Sequence, residues 1–198
     1  MTSTFPSVNY VQTTFYDNIG RGYPGQLVNA ISVYSDQIKS YPAETILFMG
    51  RAVAIGTAID QSSTTLPSQF NAPYTVTNVD GVADNALILG VALRPLVPNN
   101  FEFNDAGNEE AAYRINDMAA VVLTGSKHQV WVKLPVGQTV ASGDAVYTAV
   151  SSTNDPGIEV GEYSNDSAGT TGLLLVPNAT WVETFTSVLE NTTTKIQF

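Results

Sequence analysis

The chain of 198 residues contains no cysteine. Disulfides, iron–sulfur clusters, thiolate zinc sites and cysteine nucleophiles are therefore excluded together. It contains a single histidine, His128, which is too few for a histidine-based metal triad. Charged residues make up 13%, about half the usual share, which rules out a coiled coil or a charge-driven disordered chain. Basic residues are scarcest of all: 8 Lys and Arg stand against 18 Asp and Glu, for a net charge of −10. A surface that tracks phosphates needs the opposite sign, so neither nucleic acid nor an anionic membrane is an expected partner. No apolar run approaches the roughly 18 residues that a membrane-spanning helix requires. Met1 to Tyr16 lacks both a basic start and an apolar core, so no secretory leader is expected there.

Helix-favouring leucine, glutamate, lysine and arginine are sparse. What the chain has instead is valine and threonine, 22 of each, both stiff at χ1 and suited to strands. Serine and asparagine add 15 each, with 15 glycines and 10 prolines to build turns. The composition predicts an all-β protein with long polar loops.

The pattern along the chain supplies candidate strands. Thr45 to Met49 and Ala52 to Thr57 flank Gly50-Arg51, and Tyr74 to Val79 ends at the turn dipeptide Asp80-Gly81. Ala86 to Leu93 and Met118 to Leu123 are almost wholly apolar; the first reads as a central strand buried on both faces. Gln129 to Leu134 alternates. Ala145 to Val150 follows the turn Ser142-Gly143-Asp144, and Leu173 to Val176 should stop at Pro177. Thr180 to Val188 and Thr194 to Phe198 complete the set. Asn108 to Ile115 has a capping residue and apolar spacing compatible with two helical turns. Strands about ten residues apart with turn signals between them predict a single-domain sandwich or barrel. Met1 to Gly22 reads as an extended N-terminal arm ahead of a β domain spanning 23–198.

Nothing in this sequence assembles an active site, and no catalytic residue, cofactor site or metal site is expected. His128 lies in a polar turn. No serine sits in a nucleophile elbow. Asp105, Glu109 and Glu110 form the densest acidic group and read as solvated acids near a helix start. Asn104 to Glu109 fails the spacing of a calcium loop, and Gly20, Gly22 and Gly25 match neither phosphate-binding glycine pattern. The profile suits an interaction or structural protein better than an enzyme.

The order of short motifs resembles the structural cement, or decoration, proteins of tailed-bacteriophage capsids. Tyr23-Pro24-Gly25-Gln26-Leu27-Val28 is similar to that family's opening segment, and Ile46 to Val53 to its strand pair around Gly-Arg-Ala-Val. Leu89-Gly90-Val91-Ala92-Leu93, Asn116 to Gly125 with Val130-Trp131-Val132, Val140 to Tyr147 and Pro177 to Thr184 follow in the same order. Against the shorter family pattern, stretches near 61–83 and 95–111 read as insertions, and a third long loop covers 151–171.

The resemblance implies a non-enzymatic virion protein that coats the outside of an expanded capsid and bridges capsomers. It implies a jelly-roll-like β-sandwich or barrel, with a β-tulip-like decoration fold as the alternative. The implied partners are the major capsid protein and further copies of the chain, as a dimer or trimer, with no small-molecule substrate. Phe5, Val8, Tyr10, Val11, Phe15 and Tyr16 are the arm's candidate anchors on the capsid, and Trp131 and Trp181 are candidate interface residues. Arg21, Arg51, Arg94 and Arg114 are few enough that pairing of one at an interface is an expectation. A phage head-fibre or carbohydrate-binding module is the rival reading and would place a tryptophan on an open stacking surface. A carboxylate-based glycan hydrolase is a more remote one.

Overall fold

The computed structural model describes residues 21–28, 37–59, 73–95, 100–104, 107, 109–151, 158–165, 172–188 and 192–198. The six arm anchors, Phe5, Val8, Tyr10, Val11, Phe15 and Tyr16, lie outside the described residues. The strands in chain order are β1 (Ile38–Pro42), β2 (Leu47–Phe48), β3 (Ala52–Ala58), β4 (Tyr74–Asn78) and β5 (Ile88–Ala92). They continue with β6 (Phe101–Phe103), β7 (Glu109–Tyr113), β8 (Met118–Leu123), β9 (Gln129–Lys133) and β10 (Thr139–Val140). The last are β11 (Ala145–Ala149), β12 (Tyr163–Ser164), β13 (Leu173–Trp181), β14 (Phe185–Thr186) and β15 (Thr193–Gln197). The only helical element among the described residues is a 3-10 turn at Asn85–Leu87. The protein is all-β, as its composition predicts, and its strand ladders are antiparallel.

The first sheet has the order β1-β8-β5-β3-β4 and rolls up on itself. Just past β1, Ala43 forms a parallel bridge with Val76 of β4, and the Glu44 N–H donates to the Val76 carbonyl at 2.8 Å. The Asn78 N–H donates to Thr45 Oγ1 at 2.9 Å. Inside the roll lie Tyr41, Ala43, Leu47, Val53, Val76, Leu89, Ala92, Ala119 and Val121. Five strands enclose little volume, and three alanines in this set leave room for the larger side chains.

A second sheet, β12-β11-β13-β15-β9, covers the outside of the first. Ala52, Ala54, Ile88, Val91 and Val122 from the roll meet Val130, Val132, Val146, Val176, Trp181 and Ile196 from this sheet. Strand alternation divides neighbours between the two cores: Val121 points into the roll and Val122 out of it. This explains why β5 is buried at every position, as its unbroken apolar run predicts. Each fully buried aliphatic side chain contributes roughly 1.5–3 kcal/mol, which is where most of the stability resides. A three-stranded sheet, β2-β7-β6, and the pair β10-β14 complete the fold.

Two local expectations need correction. The helix expected over Asn108 to Ile115 is not formed: Asn108 lies outside the described residues, and β7 takes Glu109–Tyr113, paired between β2 and β6. Its alanines favour a helix in isolation, but Ala111 and Ala112 are both buried on successive residues, and ladders on both sides override propensity. The strand from Leu173 does not stop at Pro177 but runs on to Trp181. Its pairing with β11 slips between Leu175 and Thr180, so Pro177 sits in a bulge, and Asn178 adopts φ 58° beside it. The stretch 61–83 holds β4, where the sequence also predicts a strand at Tyr74 to Val79, and 95–111 holds β6 and part of β7.

Gly90 has no room for a side chain, since a Cβ there would lie 1.8 Å from the Val122 carbonyl oxygen of β8. Gly90→Ala should therefore cost roughly 3 kcal/mol or more, at the severe end of point substitutions. Urea unfolding of both proteins checks this, and a midpoint equal to the parent's would refute it.

Candidate functional site

Three of the short motifs singled out in the sequence meet in space along one seam. Residues 25–28 lie beside the outer edge of β9: the Gly25 N–H donates to the Trp131 carbonyl (2.8 Å), Trp131 N–H to Gln26 (2.9 Å) and Val28 N–H to Gln129 (3.0 Å). The same segment then crosses to the first sheet, where the Arg94 N–H donates to the Gly25 carbonyl at 2.8 Å. Gly50 packs backbone to backbone against Gly25, and its N–H donates to Ala92 at 2.7 Å. A Cβ on Gly50 would sit 2.5 Å from the Gly25 nitrogen, and both glycines hold positive φ. On the far side, Gly161 accepts from the Ala52 N–H (2.9 Å) and donates to Ala149 (2.8 Å). Both edges of the second sheet thus converge on the start of β3.

Arg51 occupies that point of convergence and is only 8% exposed. Its Nη2 lies 2.8 Å from Glu110 Oε2 and 2.5 Å from Glu159 Oε2. Its Nη1 donates to the Val160 carbonyl at 3.1 Å, and the guanidinium stacks 4.6 Å from the centre of the Phe48 ring. Lys133 of β9 reaches Glu162 Oε1 at 2.8 Å and Glu110 Oε1 at 3.3 Å. Glu162, next to β12, is 2% exposed; its other oxygen accepts from the Glu159 N–H at 3.1 Å. Asn104 donates to Glu110 Oε1 at 3.0 Å. One ion pair, Lys133–Glu162, therefore ties the two opposite edges of the second sheet.

The electrostatics follow from this geometry. Burial by itself would push the Glu110 carboxyl up, but Arg51 and Lys133 outweigh it and hold the group below its ordinary 4.5. Burial would likewise lower Arg51 and Lys133, and the surrounding carboxylates overcome it and raise both. Glu110, Glu159 and Glu162 bring carboxylate oxygens within 4.8 Å of one another, but Arg51 and Lys133 already pair with them. A carboxyl held ionised this way cannot serve as a general acid near neutral pH. The arrangement is a structural junction joining four elements.

A second cluster fixes the chain where the arm begins. Arg21 pairs with Glu183 (2.8 Å), donates to the Thr193 carbonyl (2.7 Å) and stacks 3.7 Å from the centre of the Phe185 ring. Lys195 joins Glu183 at 3.6 Å. Gly22 lies flat on Trp131, where a Cβ would come within 2.2 Å of the indole.

Of the candidate interface residues, Trp181 is a core residue at 1% exposure. Trp131 is 9% exposed, with Arg21 and Lys195 over its ring. Neither offers an open stacking face in the single chain. Arg21, Arg51 and Arg114 make ion pairs within the chain, and Arg94 lies over the Tyr23 ring. Glu110 is not the solvated acid expected; Glu109 beside it is exposed, and Asp105 lies outside the described residues. His128 is half-buried at the entry to β9, and its carbonyl accepts from the Phe198 N–H. The signal available for the junction was Arg51 itself, a lone cation between two apolar strands.

A family model described as Structural cement protein (E217 gp24/Pam3 gp6) matches residues 11–198, a span that includes the whole seam and junction. The chain belongs to this phage cement family. No curated protein matches the chain. Membership makes the cement protein a structural component of the phage capsid that associates with capsid proteins.

Two outcomes test the junction. Arg51→Met leaves three carboxylates around one lysine and should cost about 3–5 kcal/mol, read from urea unfolding at pH 7. The lowered Glu110 carboxyl stabilises the fold above its unfolded value and loses that contribution as pH falls through its folded value. Stability of the parent should therefore decline on acidification below about pH 5, and Glu110→Gln should flatten that decline. Parallel pH profiles for the two would remove Glu110 from the acid response.

Proposed function

We propose that this cement protein is a non-enzymatic clamp on the outer surface of the expanded capsid, bridging neighbouring capsomers through the major capsid protein. The observation that carries the reading is the family match over residues 11–198. The protein is made in the host cytoplasm and acts as a homo-oligomer, so several weak contacts engage together and avidity supplies the affinity. The arm, with Phe5, Val8, Tyr10, Val11, Phe15 and Tyr16, reaches onto the shell and orders there. Support comes from how the arm's base is held: Arg21 and Gly22 are fixed on Trp131, Phe185 and Glu183, so the residues before them leave from a rigid point. The net charge of −10 keeps the exterior from binding nucleic acid.

Co-sedimentation with shells before and after expansion tests this. The full chain should bind expanded shells saturably and unexpanded shells little. A variant lacking residues 1–20, which keeps Arg21 and Gly22 in place, should bind at least about tenfold more weakly. No binding of the full chain to expanded shells would overturn the clamp. Undiminished binding of the truncated chain would move the contact onto the β domain.

A further inference from the structure

Among the described residues, the outer edge of β6 is unpaired and carries exposed aromatic side chains. β6 is the end strand of β2-β7-β6 and pairs only with β7, Phe101 opposite Ala111 and Phe103 opposite Glu109. Phe103 is 72% exposed and Phe101 47%. The two rings share one face of the strand, and Glu102 lies on the other. Ile115 and Met118 are exposed close by, because Asn100 bonds Asp117 at 3.0 Å and brings the start of β6 to that turn. An unpaired, aromatic edge of this kind is a site of strand addition.

The identity of the added strand can be read from the residues. The order Phe101-Glu102-Phe103 is the same in both directions, so an antiparallel copy centred on Glu102 sets each Phe101 against the other copy's Phe103. Two Glu102 carboxylates would then face each other, which by itself is unfavourable. Each is already held by Arg114, Nε to Oε1 at 2.5 Å, and Arg114 remains 59% exposed, able to bridge across the axis as well. The Glu102 charge is therefore balanced by Arg114 at the centre of the edge, with the exposed Glu109 on the neighbouring strand, on a chain that carries −10. These features are self-complementary, as a two-fold contact requires. We infer that β6 is the self-association edge of the protein: two copies join β6 to β6 antiparallel about Glu102, making one six-stranded sheet from two β2-β7-β6 sheets.

This deepens the homo-oligomer named above and rests on that part of the reading, while shell binding is measured apart from it. The absence of cysteine supplies a clean probe. Residues directly opposite in an antiparallel pair have Cα atoms about 4.5–5.5 Å apart, within disulfide reach. Glu102→Cys should form a covalent dimer under mild oxidation, and Ala83→Cys, exposed elsewhere, should not. In sedimentation velocity, Phe103→Asp should loosen self-association at least about tenfold with unchanged circular dichroism, which Phe103's exposure permits. Association that persists in Phe103→Asp with no Glu102→Cys crosslink would overturn the β6 assignment and leave the homo-oligomer standing. A parent that stays monomeric at high concentration would overturn both. A monomer whose shell binding falls with Phe103→Asp would show that a capsid strand takes this edge instead.

Discussion

One guanidinium organises this molecule. Arg51 stands where the first sheet, both edges of the second and the small β7 sheet come together, and its ion pairs and its bond to Val160 are what those elements have in common. Removing such a charge from water costs several kcal/mol, and the cost is recovered only when every neighbour is also satisfied. Here the carboxylates are served in turn by Lys133, Asn104 and the Glu159 N–H. The network adds little net stability over an apolar plug of the same shape. What it adds is direction: only one closure of the second sheet brings Lys133 to Glu162 and Glu110 to Arg51. The paired glycines serve the same end, since Gly25 and Gly50 let two backbones approach closely enough for the seam to shut.

The parts of this architecture that were legible in the sequence are those decided by local pattern. Met118–Leu123 is read to the residue, because its apolar run ends at a glycine turn and nothing distant competes. The buried strand read at Ala86 to Leu93 is present as Ile88–Ala92, its start taken by the 3-10 turn at Asn85–Leu87. Errors cluster where distant residues decide. The segment 108–115 looks helical until β2 and β6 flank it. Pro177 looks like a stop until a bulge accommodates it. Glu110 looks solvated because its cations lie 59 and 23 residues away. The short motifs give their order along the chain, while their meeting at Gly25 and Gly50 is a property of the closed sheets alone.

As a member of a structural cement family, the chain contributes to the capsid as a folded body presenting surfaces. The two cores and the junction supply stiffness, and the family match over residues 11–198 covers both. The ionisable groups of the junction pair with one another. Phe103, the most exposed large apolar side chain among the described residues, lies on β6 next to Asn104.

The clasp at Arg21 has a consequence for how the molecule comes into being. Its partners Glu183 and Thr193 stand 162 and 172 residues further along the chain. A ribosome delivers the first residues long before the last, so the seam between residues 25–28 and β9 can form early, but its clasp waits for β15. Contacts of such long range are slow to close. A chain cut short before β15 would keep Glu183 and Phe185 but lack the Thr193 carbonyl and Lys195, so only a finished chain completes the clasp on Arg21.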